Sequence, residues 1–133
     1  MTKTQNCHNI FLSKENYRGG RMLLNCPQRK GVVRRLRIQT PRKPNSARRN
    51  VVKLYLTTRR HTVSYVPGGK HNLKRYSTVL IRAGGARDLP GIYSKCLRGL
   101  KDLRTLLYKK RRRSLYALKK KNVISYEYYM MFY

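Results

Sequence analysis

Two prolines three residues apart stiffen the segment Thr40-Pro41-Arg42-Lys43-Pro44-Asn45-Ser46-Ala47-Arg48-Arg49. Each ring locks φ, removes a backbone donor and pushes the residue before it, Thr40 or Lys43, into an extended conformation. A rigid loop is predicted, with strands on either side. In the segment before it, Val32, Leu36 and Ile38 share one face while Arg35, Arg37 and Gln39 take the other. In the segment after it, residues 50–57, Val52, Leu54 and Leu56 oppose Val51, Lys53 and Tyr55. Alternation at period two is the pattern of a half-buried strand. Within the loop successive side chains point to opposite sides, so Arg42 and Lys43 must brace different groups. Asn45 and Ser46 both donate and accept, and Ser46 and Ala47 are small enough to let the backbone approach a ligand. The segment reads as a polar finger between cationic braces, although the same residue types also make ordinary solvated turns. Composition alone leaves those two readings level.

The alternation continues. Residues 62–66 supply a third strand, paired with the second through a turn at Arg59-Arg60 and ended by Pro67-Gly68-Gly69. Residues 77–82 and 92–98 supply a fourth and a fifth. Five short strands with basic loops predict an all-β fold, a five-stranded OB-type barrel whose closure hides the sheet edges and leaves the loops to bind. Between the last two strands lies Gly84-Gly85-Ala86-Arg87-Asp88-Leu89-Pro90-Gly91, a tight exposed loop. Asp88 is the sole acid between Glu15 and Asp102. A structural role, accepting backbone N–H groups or pairing with Arg87, outweighs a chemical one, because catalysis needs a second polar partner in reach.

Past the barrel, Leu100, Leu103, Leu106 and Leu107 fall at helical spacing and predict a short helix packed by that stripe. Lys109, Lys110, Arg111, Arg112 and Arg113, then Lys119 and Lys120, make a cationic tail suited to neutralising RNA. Ile124, Tyr126, Tyr128, Met130 and Phe132 alternate with Ser125 and Glu127, predicting a strand that joins a neighbour's sheet edge. A bare apolar tail invites aggregation, so a protein neighbour is expected there. The chain divides into an extended basic arm (1–30), the barrel (31–99), a basic tail with a short helix (100–121) and an apolar extension (122–133).

Charge narrows the function. In 133 residues, 33 Lys and Arg stand against four acids, a formal charge of +29. Most of those cations need an external polyanion, and folding is expected to be coupled to binding it. Nucleic acid suits better than a membrane surface, because the cations are spread along the chain rather than along one amphipathic helix. No apolar run approaches the roughly 20 residues of a membrane span. Cys7, Cys26 and Cys96, with His8, His61 and His71, lack metal-ligand spacing, so neither a zinc site nor a disulfide framework is expected. Gly69-Lys70-His71 lacks the Ser or Thr that follows Lys in a phosphate-cradling loop. Hydrolase chemistry would need paired acids or a His dyad that the chain does not offer, so it is not expected to be an enzyme.

The string TPRKPNSARR resembles the signature of the ribosomal protein S12 family, in its bacterial and organellar branch. Arg87-Asp88-Leu89-Pro90-Gly91 resembles that family's second signature, and Gly68-x-x-His71-Asn72-Leu73 a similar stretch between them. The likeness runs from about Cys26 to Lys120; in the tail, Leu115 and Ala117 depart from the usual Arg-Ser-Lys-Tyr-Gly. The resemblance implies an OB-type fold and a structural constituent of the small ribosomal subunit that binds rRNA at the decoding centre and supports accurate codon–anticodon recognition. It places Thr40, Pro41, Arg42, Lys43, Pro44, Asn45, Ser46 and Arg87, Asp88, Leu89, Pro90, Gly91 at that centre, with Pro44 and Ser46 near the second and third codon positions. Implied partners are small-subunit rRNA, tRNA and mRNA in the A site, and neighbouring ribosomal proteins. No cofactor is implied beyond magnesium held by rRNA near Pro44 and Ser46. Asp88 is a candidate for the methylthiolation found in some bacterial members. Arg42 and Arg87 stand where many relatives carry Lys, which implies weak binding of streptomycin-type drugs. The competing class is a free single-strand RNA-binding OB protein, an RNA chaperone, which would present aromatic platforms; here the eleven Tyr are scattered and Trp is absent. An excess of Tyr, Asn and Lys, with no recognisable presequence, points to a mitochondrial location and leaves a bacterial cytoplasm open.

Overall fold

The computed structural model describes residues 22–24, 26–119 and 125–131. Five strands, β1 (Gln28–Gln39), β2 (Arg49–Leu56), β3 (His61–Tyr65), β4 (Thr78–Ala83) and β5 (Ser94–Cys96), close into a barrel in the order β1-β2-β3-β5-β4. All neighbours are antiparallel except β3 and β5, and β4 returns to β1 to complete the ring. The OB-type barrel expected from the strand count is what forms.

Its interior follows the period-two pattern of β2, where Val52, Leu54 and Leu56 point inward and meet Val66, Val79, Ile81 and Cys96. Gly31 on β1 is buried, packed so closely that a Cβ there would lie 2.9 Å from Leu56 Cδ2. Within the arm, Leu23 is buried in this core and its carbonyl accepts from Arg29 Nε at 3.1 Å, while Leu24 is exposed. The rest of that arm, residues 1–21 and 25, lies outside the described residues.

β1 departs from the predicted faces. Gly31 and Val33 point inward rather than Val32, and beyond a register shift between Val33 and Arg35 the pair Leu36 and Ile38 is 38% and 61% exposed. A bulge adds one residue to one strand, so the alternation read across it changes face. The bulge also divides the strand by task. Residues 28–32 pair with β4, whereas 35–39 pair only with β2, as a two-stranded ribbon carrying the proline loop away from the barrel.

The leucine-striped helix is absent. Gly99 and Lys101 take positive φ (73° and 55°), and Leu100 and Leu103 form an isolated bridge in place of a helical turn. The backbone is drawn to the barrel: Thr78 N donates to Asp102 Oδ2 at 2.6 Å, and Asn72 Nδ2 to the Asp102 carbonyl at 2.8 Å. Leu103 and Leu106 are still buried, as irregular-loop plugs. Helical turns occur later, a 3-10 turn at Arg113–Tyr116 and α1 (Tyr126–Met130). The predicted strand over the apolar extension is therefore corrected for 126–130, where Ser125 caps a helix by accepting the Tyr128 N–H. Residues 120–124 and 132–133 are outside the described set.

Candidate nucleic-acid interface

At the tip of the β1–β2 ribbon, residues 42–48 are all exposed. The Lys43–Pro44 peptide is cis, and Asn45 N donates to the Arg42 carbonyl at 3.0 Å, closing a four-residue turn with cis-proline in third place. The proline-driven stiffness read from the sequence is thus a closed turn rather than an extended run. Such a turn presents Pro44, Asn45 and Ser46 outward.

The second loop is fastened to the first. Arg42 N donates to the Asp88 carbonyl at 2.8 Å, Arg49 Nη2 meets Asp88 Oδ2 at 2.9 Å, and Gln39 Nε2 reaches the Pro90 carbonyl at 3.4 Å. Asp88 pairs with Arg49 across the loops, not with its neighbour Arg87 as the sequence suggested. Leu89 differs from the other predicted contact residues. Its side chain is buried with Val51 and Ile92 in a small cluster of its own, so it anchors the loop and presents nothing outward. Gly85 permits the close turn, since a Cβ would lie 2.7 Å from the Ile92 carbonyl. Arg42 and Arg87 flank one open cavity of about 360 Å³, walled by Gly85, Leu89, Pro90 and Tyr93. Two guanidinium groups beside exposed backbone suit a phosphate.

The cationic tail is partly organised. Lys109 is half-buried, its ammonium 5.0 Å from the Tyr108 ring centre and 5.6 Å from that of Tyr116. Arg113 is half-buried in the 3-10 turn, Lys110, Arg111, Arg112 and Lys119 are exposed, and Lys120 lies outside the described residues.

Sequence inspection missed one feature. On the barrel's outer face Arg34 lies 5.4 Å over the Tyr55 ring, and Tyr55 meets His61 at 5.0 Å with a 47° tilt. The register partners Tyr55 and His61 flank the Arg59-Arg60 turn, a signal that was available; Arg34 was hidden because it sits in the bulge. Cation and rings in a row offer a stacking surface for bases.

The remaining titratable groups serve the fold. Burial, reinforced by the Arg98 charge, lowers the His71 pKa, and His71 Nδ1 accepts from Leu73 N at 3.3 Å. Burial pushes the Cys96 thiol up to about 12 against the opposing pull of Arg98. Arg98, 3% exposed, donates to the carbonyls of Pro67, Lys70 and Arg104. Among the described residues no three His, Cys, Asp or Glu side chains gather as a metal site. Pro44 and Ser46 bring no carboxylate, so magnesium beside them would have to be held by RNA phosphates.

A barrel carrying two laced loops and a cationic tail is matched by the family model for ribosomal protein S12/S23 over residues 18–122. The chain belongs to that family. It is 46% identical over 114 residues to the small ribosomal subunit protein uS12m of Paramecium tetraurelia, covering 84% of this chain and 82% of that protein. With the uS12m of Bigelowiella natans it shares 48% identity over 101 residues, 76% of this chain and 80% of the other. Both S12 relatives are small-subunit proteins of the mitochondrial type, in agreement with the compartment expected from composition, and neither is an enzyme.

Proposed function

We propose that the loops at 40–49 and 84–91 act as one unit at the decoding centre of the mitochondrial small subunit, buttressing the rRNA that inspects the codon–anticodon helix. The observation that carries this is the lacing of Asp88 to both Arg42 and Arg49, which makes a single rigid surface of two loops distant in sequence. Thr40, Pro41, Lys43, Pro44, Asn45 and Ser46 supply its finger. Arg42 and Arg87 brace rRNA phosphates, Pro90 and Gly91 lie against the backbone, and tRNA and mRNA in the A site are the nearest other ligands. The tail cations Lys109, Lys110, Arg111, Arg112, Arg113, Lys119 and Lys120 neutralise rRNA farther out, and the Arg34–Tyr55–His61 row offers a base-stacking face.

The contribution is geometric. A correct codon–anticodon helix has a regular minor groove, and rRNA bases that sense it discriminate best against a support that does not give way. Replacing Pro44 by Gly frees the finger without touching the barrel. Mitochondria or reconstituted subunits carrying Pro44→Gly should show altered misreading with normal incorporation of the protein; parental error rates would reject the role. A free single-strand RNA binder would use the Tyr55 platform instead. A high-salt wash separates the two, since surface-held protein is stripped as salt rises while protein embedded in folded rRNA stays.

A further inference from the structure

We propose that the outer face of β2 and β3 takes an unpaired stretch of small-subunit rRNA, one base in each of two hollows beside the Tyr55–His61 ring pair. This deepens the stacking role given above to that row and rests on it, and it is independent of what the 40–49 finger does in decoding. Tyr55 and His61 are register partners on neighbouring strands, their ring centres 5.0 Å apart. Arg34 lies 5.4 Å over the Tyr55 ring, so the pair stands as a braced partition and bases enter beside it. His61 helps to wall one hollow of about 310 Å³, with Lys53, Val63, Gly91 and Tyr93. Tyr55 helps to wall the other, of about 320 Å³, with Lys30, Val32, Thr57 and Arg59. These volumes sit at the low end of the roughly 300–1,000 Å³ of small-ligand sites, which suits one base apiece.

Charge selects the occupant. Lys53 is exposed at the first hollow, Lys30 and Arg59 at the second, and Arg35, the register partner of Lys53, is exposed beside them on β1. Among the described residues no carboxylate lines either hollow. Cations outside and aromatic or apolar walls within match a phosphate backbone that turns its bases inward. An apolar side chain from a neighbouring protein would fill a hollow and leave the cations uncompensated. A duplex keeps its base faces in its own stack, so only unpaired nucleotides can place bases in both hollows. The path also continues from the loops: Gly91 and Tyr93 wall both the first hollow and the cavity flanked by Arg42 and Arg87, so a strand leaving that cavity passes directly onto this face.

Photo-crosslinking in assembled small subunits tests this. With benzoylphenylalanine in place of Tyr55, irradiated subunits should yield an adduct to rRNA, and primer extension should stop in an unpaired segment. An adduct to a protein, or no adduct, would overturn the proposal together with the stacking role on which it rests. An adduct to a base-paired nucleotide would leave the stacking role standing and overturn the unpaired stretch. A second measurement uses His61→Ser, a change at an exposed position, in subunits that retain this chain. Acylation of rRNA 2′-hydroxyls should rise several-fold at nucleotides of that segment and return to the parental level in His61→Phe, which restores a ring. Reactivity unchanged by His61→Ser would also overturn the proposal. Neither readout depends on decoding accuracy, so failure here and failure of Pro44→Gly are distinct results.

Discussion

At the scale of single residues, the strongest statement concerns Asp88. Four acids serve the whole chain, and this one is spent joining two loops that are 39 residues apart at its contact with Arg49. Both side chains are partly exposed, so solvent screening limits the ion pair to about 1 kcal/mol or less. A double-mutant cycle on Asp88→Ala and Arg49→Ala, read by thermal unfolding in sulfate buffer, should show the second substitution costing less once the first is present; strictly additive losses would mean the two do not interact. His71 gives a pH test. Its lowered folded pKa means that the unfolded chain takes up a proton first as pH falls below the ordinary histidine value of about 6.5. The full contribution is present above that value and is lost as pH falls toward the folded pKa. Protonation would also remove the acceptor for Leu73 N. Melting temperature should fall between about pH 7.5 and pH 5.5, and less so in His71→Gln; equal slopes would exclude His71 as the cause. From the sequence, Asp88 was visible as an anomaly, but its partner was not, because nothing in linear order sets Arg49 above the adjacent Arg87.

At the scale of elements, period-two alternation located the strands because a half-buried strand needs it, as β2 shows residue by residue. It failed on β1, where an unpaired residue at the bulge moves Leu36 and Ile38 to the outside. Helical spacing failed in its turn at Leu100 and Leu103, where the backbone is held by Asp102 to Thr78 and by Asn72 to Asp102 and Arg104 rather than wound into a helix. The extension misled for a related reason: strict alternation over 124–132 suits a strand, yet Ser125 at the cap and a seat for Tyr129 beside Tyr108 favour a helical turn. These are tertiary contacts overriding local pattern. Gly68 offers an element-level test, having a φ of 92° and a Cβ position 2.1 Å from Leu106 Cδ1. Gly68→Ala should destabilise by roughly 1–3 kcal/mol through overpacking and loosen the seat of α1. An unchanged melting temperature would contradict that packing.

For the whole molecule, a small barrel core carries a formal charge of +29, and that self-repulsion opposes compaction until a polyanion offsets it. Leu103 plugs the core from the tail side, so barrel and tail share one cooperative unit. Leu103→Ala should cost about 2–5 kcal/mol and lower incorporation into the particle, whereas an exposed cation such as Lys110 should affect only the salt sensitivity of binding. Family membership was legible because two loop signatures appear in the right order, and the barrel because closure is the simplest way to hide five short strands. How the loops lace, and what the extension covers, depended on three-dimensional neighbours. The most direct measurement is a density map of the assembled small subunit with tRNA in the A site. Pro44 and Ser46 should contact the rRNA around the codon, with Arg42 and Arg87 on phosphates. A map placing the cis-proline turn in solvent, or away from the A-site codon, would contradict the account.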